Sequence, residues 1–270
     1  MRHGSTRRVM VVMGAVLLVA ALACGSIPGM GGDSDESVES VEIPAEEPPE
    51  EPAEEAAEET VPPTATTAPP PTLATGNYDV VGSNPDGSVY GGVLQITRSG
   101  AIYEFFWDTG TTFLGEAIQR GDKVAVAYPS DVCQIALYDV SPDGTLEGEW
   151  VNYEGTDLGS EVAVPDGGGG GIAGTYSYTG TLPDGSDYEG TMTITAAGDL
   201  YDVVQNQVDF EGGPLYSVGI TQGQSLAMSY GPEGTCGVVI YTLEPDGSLD
   251  GLWGTFGVST AAGTETATPQ

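Results

Sequence analysis

The stretch Pro183-Asp184-Gly185-Ser186-Asp187-Tyr188-Glu189-Gly190-Thr191-Met192-Thr193-Ile194-Thr195 contains a turn followed by a strand. Proline presets the first turn angle, the aspartate bonds back to nearby backbone and glycine takes the positive φ, so Pro-Asp-Gly fits a tight hairpin. Beyond the turn one face reads Tyr188, Gly190, Met192, Ile194 and the other Glu189, Thr191, Thr193, Thr195, which is the period of two expected of a half-buried strand. The same passage stands 98 residues earlier as Pro85-Asp86-Gly87-Ser88-Val89-Tyr90-Gly91-Gly92, with Tyr90, Gly92, Leu94 and Ile96 as its inward face.

Working outward, Gly76-Asn77-Tyr78 answers Gly174-Thr175-Tyr176, and the offset of 98 holds to Tyr103/Tyr201. It has grown to 103 by Cys133/Cys236 and stays there through Pro142-Asp143-Gly144/Pro245-Asp246-Gly247 and Trp150/Trp253. Gly159-Ser160-Glu161 then matches Gly263-Thr264-Glu265. So slow a drift describes a duplicated domain with a few loop insertions. Turn signals divide each copy into about eight short strands, centred in the first near Tyr78, Leu94, Phe105, Leu114, Val126, Ile135, Glu149 and Val162. The expected class is all-β: two tandem up-and-down antiparallel β-barrels, residues 76–164 and 172–266, with a short tail at 267–270. Two β-sandwiches are the alternative. Residues 165–171, with five consecutive glycines from Gly167 to Gly171, read as a flexible linker. The Gly-x-Gly-x-x-Gly string at Gly169, Gly171 and Gly174 is no dinucleotide fingerprint, because Thr175-Tyr176-Ser177-Tyr178-Thr179 continues as a strand and opens no helix.

The chain begins differently. Arg2, Arg7 and Arg8 precede a run of 15 apolar or small residues from Val9 to Ala23, too short to cross ~30 Å of hydrocarbon and ordered like a secretory signal. Leu22-Ala23-Cys24 resembles the lipobox of bacterial lipoproteins, although Ala21 stands where that family more often has leucine. The resemblance implies a signal peptide over residues 1–23 and a lipid on Cys24, hence an extracytoplasmic chain held to a bacterial membrane by acyl chains such as palmitate. Residues 24–75 follow as a stalk: from Asp33 to Glu59 there are 13 acids and no base, then a Thr/Pro/Ala stretch, with no aromatic residue to seed a core. Such a segment cannot offset chain entropy and is expected to be disordered and extended.

Charge and composition exclude several classes. Six bases against 40 acids give a formal charge of −34, which rules against nucleic acid and leaves weak divalent-cation binding or adaptation to a salty habitat as roles for the acidic surface. The sole histidine, His3, falls in the signal, so neither a Ser-His-Asp triad nor a histidine-bearing zinc site can be built, and no cofactor is expected. Paired carboxylates are the only groups left for a hydrolase, for example Glu147 and Glu149 on one strand face, a weak reading beside plain solvated charge. Asn84-Pro85-Asp86-Gly87 lacks the downstream glutamate of a calcium loop and reads as a turn. Cys133 and Cys236 occupy equivalent strands. They are either buried free thiols, the preferred reading because equivalent positions in two closed barrels seldom meet, or a bridge between barrels.

The Gly-Thr-Tyr opening and the Asp-Gly-x-Leu-x-Gly-x-Trp closing hairpin make each copy resemble the small eight-stranded barrels of the avidin and lipocalin type. They resemble more specifically a group of uncharacterised domains in secreted bacterial proteins. Five tyrosines recur, Tyr78, Tyr90, Tyr103, Tyr128 and Tyr138 answering Tyr176, Tyr188, Tyr201, Tyr230 and Tyr241, either to cap a core or to line a ligand mouth. The candidate ligand contacts are Tyr90, Trp107, Trp150, Tyr188 and Trp253, with no catalytic and no metal-binding residue. The expected function is a non-enzymatic binding or structural head of a cell-envelope lipoprotein, with an envelope glycan or protein as partner. The alternative is a small-molecule carrier of lipocalin or avidin type.

Overall fold

The computed structural model describes residues 70–153, 155–167, 171–232 and 235–270. The signal segment, Cys24 and nearly all of the stalk lie outside the described residues. The strands in chain order are β1 (Gly76–Ser83), β2 (Val89–Ser99), β3 (Ile102–Asp108), β4 (Thr112–Arg120), β5 (Lys123–Tyr128), β6 (Gln134–Val140), β7 (Leu146–Val151) and β8 (Gly159–Pro165). The second copy supplies β9 (Gly174–Thr181), β10 (Asp187–Ala197), β11 (Leu200–Gln207), β12 (Leu215–Gln222), β13 (Ser225–Gly231), β14 (Gly237–Leu243), β15 (Leu249–Thr255) and β16 (Gly263–Pro269). There is no helix among the described residues, and every strand centre expected for the first copy falls inside its strand.

The four Pro-Asp-Gly turns are built as their chemistry requires. Gly87, Gly144, Gly185 and Gly247 have φ of 83°, 88°, 87° and 85°, which an L side chain rarely adopts. Asp86, Asp143, Asp184 and Asp246 each accept the backbone N–H two residues on at 2.9 or 3.0 Å.

Two closed eight-stranded antiparallel barrels result, but they do not coincide with the repeats. Barrel 1 runs β1-β2-β3-β4-β5 and is completed by β14-β15-β16, while barrel 2 is the continuous meander β6 to β13. Each copy therefore lends its last three strands to the other. The domain limits 76–164 and 172–266 are corrected accordingly: they mark the units of sequence, not those of structure. In place of a β5–β6 hairpin, β5 pairs with β14 (Val126 opposite Val239), and β13 pairs with β6 (Met228 opposite Ala136). The expected linker likewise does not separate two barrels: β8 and β9 on either side of it pair within barrel 2, with Pro165 opposite Tyr176 and the Asp166 N–H bonding Thr175 O at 2.9 Å.

The two crossing connections, from β5 to β6 and from β13 to β14, meet at their last residues. Cys133 and Cys236 are joined as a disulfide with Cα atoms 5.8 Å apart, which overturns the preference for free thiols. Equivalent residues remain apart when two barrels stand side by side, but they come together where two copies exchange strands about a pseudo-twofold axis.

Outward side chains of both barrels build a third core between them. Ile118, Ala125 and Ala127 with Val238 and Ile240 from barrel 1 pack with Ile135, Leu137, Val218, Ile220 and Ala227 from barrel 2, around the two cysteines. Strands at this seam are buried on both faces, so their sequences run apolar without alternation, as in Val124-Ala125-Val126-Ala127 and Val238-Val239-Ile240. Reciprocal loop contacts flank the seam: the Ala101 N–H bonds Thr156 O at 3.1 Å and the Asp199 N–H bonds Thr260 O at 2.8 Å.

Residues 70–75 and the end of β16 seal one end of barrel 1. Leu73 is 3% exposed in its core, its N–H bonds Gln119 Oε1 at 3.0 Å, and Gln119 Nε2 donates to Pro71 O at 2.6 Å. Residues 70–75 thus belong to the barrel, and so does the supposed tail, since β16 extends to Pro269 and the Gln270 N–H bonds Asn77 O at 3.0 Å.

Candidate functional site

At the opposite end barrel 1 opens into a cavity of about 340 Å³. Period-two alternation aims Tyr90 of β2, Trp107 of β3, Tyr128 of β5, Val239 of β14 and Trp253 of β15 into it. Phe113 stands at the mouth with its ring 6.0 Å from that of Tyr128, and Asn84, Thr109, Thr111 and Thr255 supply neutral polar groups. The rings of Trp107 and Tyr128 are 6.4 Å apart and tilted by 63°, and those of Tyr90 and Trp253 lie at the same distance and 67°.

Beneath the rings sits Glu265 of β16, only 6% exposed and still reaching the cavity. Its Oε2 accepts from the Tyr90 hydroxyl at 2.9 Å, and its Oε1 accepts from Trp107 Nε1 at 2.9 Å and from the Tyr241 hydroxyl. Three donors converge on one carboxylate, supplying the hydrogen bonds that a buried acid needs. Burial first and the Glu265 charge second raise the pKa values of Tyr90 and Tyr241. Burial, with Glu265 adding to it, pushes Tyr128 up to about 12, against a 2.9 Å hydrogen bond with Thr255 Oγ1 that lowers it.

Barrel 2 repeats this plan with different contents. Glu161 of β8 accepts from the hydroxyls of Tyr138 and Tyr188, each at 2.8 Å. Gln205 stands where barrel 1 has Trp107, and its amide donates to Met192 Sδ at 3.7 Å instead of to the carboxylate. Burial raises the Glu161 pKa, opposed by the two tyrosine hydrogen bonds. Tyr178 replaces Val80 and Met228 replaces Val126, both buried in the barrel 2 core. Tyr230, matching the half-buried Tyr128, is 5% exposed, and Trp150, matching the half-buried Trp253, is 7% exposed.

The five candidate aromatics therefore separate. Tyr90, Trp107 and Trp253 line one cavity, whereas Trp150 and Tyr188 pair in the other barrel with ring centroids 5.9 Å apart. The repeated tyrosines divide too: Tyr78, Tyr103, Tyr138, Tyr176 and Tyr241 are buried core, and Tyr90 and Tyr128 face the cavity. The indole N–H groups of Trp150 and Trp253 are buried without an acceptor in hydrogen-bond geometry. Each lies beside a tyrosine hydroxyl, of Tyr188 and Tyr90 respectively, closely enough to oppose the rise of its pKa. Since both barrels share this feature, it belongs to the packing of the ring on Gly159 or Gly263 and does not single out a ligand.

Sequence reasoning missed the buried acids and the place of Phe113. The signal was present in β16, where Glu265 falls in register with inward Gly263 and Ala267 while Thr264 and Thr266 face out. The carboxylate pair it did propose is engaged elsewhere: Arg120 of β4 bonds Asp139 at 2.6 Å and reaches Glu147 at 3.5 Å and Glu149 at 4.0 Å across the seam. Comparison with protein-family models, with curated proteins and with solved structures finds no match.

Proposed function

We propose that this chain is a cell-envelope lipoprotein whose folded part is a non-enzymatic binding module, and that a small molecule is received in the aromatic cavity of barrel 1. The observation that carries the reading is the cavity itself: concave, walled by five aromatic rings, with one buried polar anchor and an open mouth. Barrel 2, with Tyr178, Met192, Met228 and Tyr230 in its interior, serves as the structural partner. Residues 70–75 join barrel 1 at the end away from the cavity.

The test is a thermal and fluorescence screen of the full chain in non-ionic detergent against neutral sugars, small aromatics, organic amines and carboxylic acids. Binding to the native state alone raises stability by about 2.7 kcal/mol at a hundredfold excess over Kd, and two of the three tryptophans line the cavity. At least one class is expected to raise the melting temperature and alter indole emission. No shift with any class sinks the reading. Membrane fractionation of Cys24→Ala tests the anchor, and loss of the protein to the soluble fraction is the expected result.

A further inference from the structure

We propose that the ligand of this cavity is a small organic cation, an alkylammonium group seated among Trp107, Tyr128 and Trp253 above Glu265. The inference rests on the reading of barrel 1 as a binding site and adds its chemistry. Glu265 has three neutral donors, Tyr90 on Oε2 and Trp107 and Tyr241 on Oε1, and Oε2 with its single donor keeps acceptor capacity in a residue that lines the cavity. No Lys or Arg lines the cavity. The cations among the described residues are placed elsewhere: Arg120 on Asp139, Lys123 on Asp122, and Arg98 over the ring of Tyr103. The site thus carries a carboxylate held by neutral donors, with no cationic side chain in the cavity lining.

Its walls suit the same guest. Aromatic faces carry negative quadrupole charge and attract an ammonium within about 6 Å of the ring centre, the more so when water is displaced. The rings of Trp107, Tyr128, Phe113 and Trp253 surround the space above the carboxylate. An anionic ligand would meet Glu265 with no compensating base, and a chain of net charge −34 repels anions while concentrating cations at its surface. A metal ion is the poorer guest, because no three metal-binding side chains cluster among the described residues, whereas an organic cation needs only one carboxylate and the rings.

The test compares choline with its neutral isostere 3,3-dimethylbutan-1-ol on the full chain in non-ionic detergent, by indole fluorescence and calorimetry. Choline is expected to bind roughly tenfold more tightly, as cation–π attraction and a buried carboxylate together imply. Tyr128→Leu, at the mouth and outside the hydrogen bonds to Glu265, is expected to narrow that preference severalfold, and Glu265→Gln to remove it. Should Glu265→Gln fail to fold, the isostere comparison and Tyr128→Leu still decide the matter. Equal or tighter binding of the neutral isostere overturns the cation assignment while leaving the binding site in place. Failure of choline while a sugar, phenol or carboxylic acid binds does the same, and failure of every compound overturns both.

Discussion

Cys133 and Cys236 occupy the same position in the two repeats and are bonded to each other, with 103 residues between them. Residues related by a duplication can touch only near the axis that relates the copies, so the bond places that axis between the crossing connections that precede β6 and β14. It fastens the strand exchange at the point where the two copies trade their last three strands.

Replacing both cysteines by alanine removes a cross-link that closes a loop of about a hundred residues, for which chain entropy sets a stabilisation near 4–5 kcal/mol. The double variant should lose roughly 2–5 kcal/mol in urea unfolding while retaining its far-ultraviolet spectrum. An unchanged midpoint would show that the bond does not constrain the unfolded chain.

The exchange predicts an outcome that two side-by-side barrels cannot give. With a protease site in place of the glycines at 167–171, cleavage leaves one piece carrying β1–β8 and another carrying β9–β16. Each piece owns part of both barrels, so after cleavage and disulfide reduction the two should co-elute in size-exclusion chromatography. Two independently eluting halves would refute the topology.

Glu161 makes stability depend on pH in a set direction. Its folded pKa is raised above the ordinary value of 4.5, chiefly by burial, so between the two values the native state holds a proton that the unfolded chain has released. That contribution is fully present below 4.5 and is lost as pH rises through the elevated folded value. The highly acidic surface also relaxes on acidification, so the informative quantity is the difference from Glu161→Gln. As pH falls from 7 to 4.5 the wild type should gain more stability in urea than the variant; an equal gain would mean that Glu161 titrates normally.

The class of fold was legible because each surface strand writes its burial into a period of two, as β10 does with Tyr188, Gly190, Met192 and Ile194. The exchange was not, because β5 meets in β14 a strand equivalent to β6, and the same inward residues are buried either way. Only the seam left a trace, in runs such as Ile135-Ala136-Leu137-Tyr138 that are apolar on both faces, which a lone barrel with a solvated exterior does not need. The site was half legible: Trp107 and Trp253 draw attention as large aromatics, whereas Glu265 passes for a surface acid until its register with Gly263 and Ala267 is seen.

That register also makes Gly263 the determinant of the cavity's width. A Cβ there would fall 2.3 Å from the indole of Trp253 and 2.7 Å from the backbone oxygen of Ser83, so the ring must yield, and the space open to it is the cavity. Gly263→Ala should cost roughly 1–3 kcal/mol by overpacking. It should also abolish choline binding, since the displaced ring takes the ligand's place. Gly159→Ala meets the matching ring clash in barrel 2, with a Cβ 2.4 Å from the indole of Trp150. It should lower stability comparably and leave choline binding intact. Urea unfolding and choline titration of the two variants side by side check both halves, and equal choline affinity in the two would remove Trp253 from the site.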